Sequence, residues 1–139
     1  MGKTTVTLVE GMQFVGKGER GHGVLMDASL KGGGSDSAAT PLEAFLCALG
    51  GCTGMDVISI LRKMRTAPTS LQIEITDERA AEHPKVITKL HIIYRVTGAV
   101  PEVNLKKAIE LSLSKYCPIT NTLAGVTEIT SEAIIVPEQ

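Results

Sequence analysis

The chain has 139 residues, 43% of them hydrophobic, and a formal net charge of −1. That length suits one domain, residues 1–139, around a single core. Balanced charge and the absence of Trp argue against a nucleic-acid or acidic-membrane surface.

Thr4 to Glu10 alternates apolar and polar residues and predicts a strand, with Gly11 as a turn. Met12 to Gly16 predicts a second short strand and Val24 to Ala28 a third. The connection between them is Gly-rich and charged, holding Lys17, Glu19, Arg20 and His22. Gly11 to Gly18, GMQFVGKG, approaches a phosphate loop, but Gly18 stands where the magnesium-binding hydroxyl belongs and no helix pattern follows. A hairpin turn is the better reading. Lys31 to Ala39 (KGGGSDSAA) predicts a flexible loop.

Thr40 to Arg65 then predicts one long helix. Thr40 suits the N-cap, Pro41 the first turn, and Glu43 the position from which a capping-box side chain reaches back. Arg62, Lys63 and Arg65 crowd the end where the helix dipole favours cations. Between these ends the helix is apolar or small on all sides, which predicts burial. Its centre is Gly50-Gly51-Cys52-Thr53-Gly54. Each interior Gly costs about 1 kcal/mol relative to Ala, so three beside one Cys predict a close approach by other backbone or a ligand. The N-terminus, MGKTTVTLVEG, has no apolar signal region and Asp56 interrupts the apolar run of the helix, so neither a signal peptide nor a membrane span is expected.

Beyond Pro68, Leu71 to Arg79 alternates as a half-buried strand and Val86 to Thr97 as a longer one, predicting an antiparallel hairpin. Pro101 and Glu102 open a second helix to about Tyr116, with Val103, Leu105, Ile109 and Leu113 as its apolar stripe. Cys117-Pro118 reads as the N-cap and first residue of a short helix through about Leu123. Gly125 stops it, and Glu128 to Val136 predicts the last strand. The pattern is α+β with segregated elements.

Cys47, Cys52 and Cys117 form no CxxC, and His22, His83 and His91 are scattered, so no metal site or cofactor is expected. An odd count without an export signal predicts reduced thiols and a cytoplasmic location. Cys47 lies about 500° around the helix from Cys52 and is expected to pack in the core. Cys52 is open to two readings, a small packing residue or a reactive thiol. So is Cys117: an N-cap lowers a thiol's pKa and favours the thiolate, yet the position can also hold a poor capper where Ser would serve better. Together Cys52 and Cys117 suggest a peroxide-reducing pair. One thiolate attacks the O–O bond to give sulfenic acid, and the other condenses with it to a disulfide. A cation and a carboxylate would tune the first thiol, and Arg20 and Glu43 are the charges on offer.

At this point the chain resembles the OsmC family, which includes the organic hydroperoxide reductases. The resemblance rests on Pro41-Leu42-Glu43 opening a helix, Gly50-Gly51-Cys52 ten residues on, and Lys115-Tyr116-Cys117-Pro118 opening the late helix. It implies an OsmC-like fold, with antiparallel sheets around a long buried central helix, in an intertwined homodimer with the active sites at the interface. It also implies Cys52 as the attacking thiol and Cys117 as the resolving one. Leu42 stands where the hydroperoxide reductases place a Glu, with Glu43 one residue on, and Arg20 matches the family's Arg by region. Gly21-His22, Met26-Asp27 and Cys52 to Val57 resemble a less-characterised branch, in which His22 is a candidate base.

The expected function is a thiol-dependent peroxidase of organic hydroperoxides that is recycled by a dithiol reductant. The alternative is a non-catalytic binder of a small apolar or acyl ligand at the dimer interface. A thiol redox sensor is a third class, without an accompanying DNA-binding segment.

Overall fold

The computed structural model describes residues 2–138. The chain divides into two compact units, one running to Ala48 and the other starting at Leu49.

The N-terminal unit is a meander of β1 (Thr5–Glu10), β2 (Gln13–Lys17) and β3 (Gly23–Met26), all antiparallel. Gly11 makes the first turn with φ +54°, a region that favours glycine. The meander hides little of its apolar content: Val6, Leu8, Val9, Val24 and Leu25 are 44–54% exposed. Among residues 2–48 only Gly16 and Asp27 are buried.

The loop after β3, which its composition marks as flexible, is instead clasped by Asp27. The Asp27 carboxylate accepts the Ala28, Ser35 and Ser37 N–H groups at 2.8, 3.2 and 3.1 Å and the Ser37 hydroxyl at 2.6 Å. The Ser37 hydroxyl, followed by the backbone N–H groups, holds the Asp27 pKa below the usual carboxylate value. Gly34 is required here, because a Cβ would overlap the Ala28 carbonyl. A buried carboxylate thus supplies the order that a run of glycines lacks.

Helix α1 (Pro41–Lys63) begins with the expected capping box. The Thr40 N–H donates to Glu43 Oε1 at 3.1 Å, and the Glu43 N–H donates to Thr40 Oγ1 at 3.2 Å. The helix is long and apolar enough to cross a membrane by length and composition. It nevertheless buries Leu49, Thr53, Gly54, Val57 and Leu61, one face at helical spacing, within protein. Cys47 departs from expectation: it is exposed. With Gly51 and Met55 it falls on a stripe spaced four residues apart, and Met55 is 75% exposed.

In the C-terminal unit, β4 (Ser70–Arg79) and β5 (Ile87–Thr97) form the expected antiparallel hairpin, pairing Ser70 with Thr97 and Thr76 with His91. The last strand, β6 (Glu128–Val136), lies beside β5 and parallel to it. A parallel neighbour needs a long crossover, which α2 (Glu102–Leu111), a π-helical turn (Ser112–Tyr116) and α3 (Pro118–Leu123) provide. Leu90, Ile92, Tyr94 and Val96 alternate inward along β5 and meet a core that includes Leu49, Val57, Leu61, Leu105 and Ala108. Val103, expected in the α2 stripe, is 72% exposed, and Ala108 and Ser112 are buried on that helical run instead.

The glycines of α1 also differ from expectation. What comes close to Gly50 and Gly54 is β4 of the same unit. A Cβ at Gly54 would stand 2.9 Å from Ile73 Cδ1, and one at Gly50 3.2 Å from Ile75 Cδ1. Only Gly51 faces open space. Two of the three glycines therefore serve helix-on-sheet packing rather than a ligand.

Candidate functional site

Three local features build the site within the C-terminal unit. First, α1 carries Cys52, with Thr53 beside it and Asp56 one turn on, on nearly the same face. Second, the chain from Ser112 to Tyr116 winds as a π turn. The Cys117 N–H donates to the Ser112 carbonyl at 2.8 Å, an i→i−5 bond. Third, Cys117 caps α3: its Sγ accepts the Thr120 N–H at 3.4 Å, with Pro118 at the first helical position. Sulfur is a weak acceptor, so this cap is poor as an anchor. Asn121 compensates, its Nδ2 donating to the Leu113 and Cys117 carbonyls at 3.1 and 2.8 Å.

Cys52 and Cys117 adjoin. Burial, then the Cys117 side chain beside it, push the Cys52 thiol up from its ordinary value of 9.0, and the Asp56 charge adds to this. The Ile119 backbone N–H acts the other way. The start of α3 thus offers amides to both sulfurs. Cys117 is fully buried, whereas Cys52 is partly accessible, and both are free thiols.

Beneath the sulfurs runs a chain of hydroxyls. Ser112 Oγ donates to Asp56 Oδ2 at 2.8 Å, Thr53 Oγ1 lies 2.7 Å from Ser112 Oγ, and Tyr94 OH lies 2.7 Å from Thr53 Oγ1. A carboxylate only accepts and each hydroxyl has one proton, so the order is fixed: Tyr94 donates to Thr53, Thr53 to Ser112, Ser112 to Asp56. Among the described residues no buried side-chain nitrogen or oxygen lacks a partner. Burial raises the Tyr94 pKa from 10.0 to about 12, with the Cys117 and Asp56 charges adding and the Thr53 bond opposing.

The remaining sequence candidates lie in the N-terminal unit. Glu43 is engaged in its capping box, and the Thr40 backbone and hydroxyl contacts lower its pKa. Arg20 and His22 are exposed in the turn between β2 and β3, where the Gly21 N–H donates to the Gly18 carbonyl at 3.0 Å. Among the described residues there is no cluster of three or more His, Cys, Asp or Glu able to hold a metal ion.

The sequence reading gives no site role to Thr53, Asp56, Tyr94 or Ser112. The signal for two of them was there: Thr53 and Asp56 are polar residues in an otherwise apolar helical run, within one turn of Cys52. Their partners, 41 to 59 residues away, leave no such trace.

Residues 33–132 match the OsmC-like protein family. The chain belongs to that family. It is 36% identical over 126 residues to Protein YhfA of Escherichia coli K12, covering 90% of this chain and 91% of YhfA. The crystal structure of a hypothetical protein from Aquifex aeolicus VF5 superposes with a TM-score of 0.86 at 25% identity, covering 100% and 98% of the two chains. An organic hydroperoxide resistance protein from Elizabethkingia anophelis shares the fold, with a TM-score of 0.70 at 14% identity over 98% and 96%.

Proposed function

We propose that this OsmC-like protein is a thiol-dependent peroxidase that reduces organic hydroperoxides, with Cys52 attacking and Cys117 resolving. The observation that carries the reading is the juxtaposition of the two thiols at the start of α3. The Cys52 sulfur attacks the outer peroxide oxygen. The O–O bond breaks, the alcohol leaves with a proton, and Cys52 becomes a sulfenic acid. Cys117 then displaces water to form the disulfide, which a dithiol reductant reopens. Cys52 takes the first role because it is the more accessible sulfur.

Arg20 and Glu43 enter this reading as auxiliary charges that stabilise the thiolate and orient the peroxide. Membership in a family with a hydroperoxide resistance protein among its structural neighbours supports the substrate class. Residues 1–139 are read as one domain, a reading supported by the continuity of α1 past Ala48 and by a family match that spans it. The exposed apolar meander and the Cys47–Gly51–Met55 stripe support a homodimer. Free thiols support a cytoplasmic location.

Stopped-flow oxidation of the reduced protein by cumene hydroperoxide tests the reaction. Cys52→Ser should abolish the fast phase, and Cys117→Ser should react once and stall as sulfenic acid. A fast phase that survives in Cys52→Ser overturns the assignment.

One observation favours the second reading, a non-catalytic binder of a small apolar or acyl ligand at the dimer interface: burial pushes the Cys52 thiol above its ordinary value, away from the thiolate. On that reading Cys52 reacts no faster than free cysteine, and native mass spectrometry shows a retained ligand.

A further inference from the structure

Ser112 is tied to both halves of the thiol pair. Its hydroxyl bonds Asp56 at 2.8 Å and Thr53 at 2.7 Å, the residues one turn after and directly after Cys52 on α1. Its carbonyl accepts the Cys117 N–H at 2.8 Å. In an α-helix that N–H would reach Leu113 instead; here the Leu113 carbonyl is filled by Asn121 Nδ2 at 3.1 Å. The π turn therefore places Cys117 over Ser112, where an α-helix would put residue 116, and Asn121 holds the carbonyl this frees. Ser112 and Thr53 are fully buried. A packed apolar pair could fill the same space, but a satisfied polar chain rigidifies and specifies one arrangement.

We infer that Ser112, acting with Thr53, is the positioning residue of the thiol pair, holding α1 and the π turn in the register at which the Cys52 and Cys117 sulfurs meet. This rests on the dithiol reading above and adds the device that makes the resolving step intramolecular. Displacement of reacting atoms by about 1 Å can cost roughly 10²-fold, so loss of the Ser112 hydroxyl should act on disulfide closure and not on the accessibility of Cys52.

The experiment equilibrates the reduced full chain with oxidised and reduced glutathione. The Cys52 thiolate attacks glutathione disulfide and one glutathione leaves as thiol. Cys117 then attacks the Cys52 sulfur of the mixed disulfide, and the second glutathione leaves. The equilibrium ratio gives the effective concentration of Cys117 at Cys52. Ser112→Ala and Thr53→Val should lower it by about tenfold or more, while Thr53→Ser, which keeps the hydroxyl, stays within about twofold of the parent. Alkylation of Cys52 by iodoacetamide should remain within about twofold in all three, which separates positioning from general loosening. An unchanged effective concentration in folded Ser112→Ala overturns the inference. Should Ser112→Ala not fold, equal values for Thr53→Val and Thr53→Ser overturn it instead. Because no peroxide is used, a protein inert to cumene hydroperoxide that still shows these losses refutes the peroxidase reading and keeps this one.

Discussion

The two units dispose their apolar residues in opposite ways. From Leu49 onward the chain buries an alternating strand, Leu90 to Val96, against Leu49, Val57, Leu61 and Leu105. The β1–β3 meander leaves Val6, Leu8, Val9, Val24 and Leu25 in the open and buries a carboxylate, Asp27. The C-terminal unit has the makings of an independent core, whereas a three-stranded sheet needs an apolar face packed against something to be stable. The lesson is that hydrophobic alternation marks a strand, not what will cover it.

Truncation should break this contrast most visibly. Leu61→Ala, fully buried, should lose about 2–5 kcal/mol in urea unfolding. Leu25→Ala, 44% exposed, should lose well under about 1 kcal/mol as a monomer. A larger loss for Leu25→Ala that grows with protein concentration would show the meander covered by a second copy.

Two buried titratable groups, Tyr94 and Asp27, should respond to opposite ends of the pH scale. Tyr94 is raised from 10.0 to about 12, so the folded state keeps its proton after the unfolded state has lost it. Stability is therefore present below pH 10 and falls as pH climbs toward about 12, by roughly 2–3 kcal/mol. Cys52, also raised, adds a loss above its ordinary value of 9.0. Tyr94→Phe should flatten the alkaline arm of a denaturation series. Asp27 is lowered from 3.8, so its contribution is present above that value and is lost as pH falls through the lower folded value. Amide-exchange protection, taken relative to the intrinsic rate at each pH, should fall across residues 28–37 in acid and not in alkali.

A smaller pair of effects lies on α1. Gly54→Ala sets a Cβ against Ile73 and should cost about 1–3 kcal/mol, reduced by the better helix propensity of Ala. Gly51→Ala meets open space in the single chain and should stabilise it by up to about 1 kcal/mol. Were Gly51 to lie in the interface of the proposed homodimer, the same change would instead shift sedimentation toward monomer. Smallest is Thr40→Ala, which removes one side of the capping box and should cost about 1 kcal/mol in thermal unfolding.

Local rules read the local structure well. The capping box at Thr40 and Glu43, the β4–β5 hairpin and the Cys117 cap each depend on residues within a few positions of one another or on strand alternation. The same rules misplaced Cys47 and Val103, because an apolar residue on a helix is buried only if another element arrives on its side. They also read Lys31 to Ala39 as loose, since nothing in the loop itself announces the four bonds that Asp27 accepts from it and its border.

By itself the sequence determined the elements and the family, because propensity, capping and spacing are written in neighbouring residues. Tertiary structure alone decided that β6 joins β5 in parallel, that two glycines of α1 admit Ile73 and Ile75, and that Ser112 reaches back 56 residues to Asp56. Hydrogen bonds between side chains so far apart obey no period. They exist only once the core has packed and buried hydroxyls must find partners where water is absent.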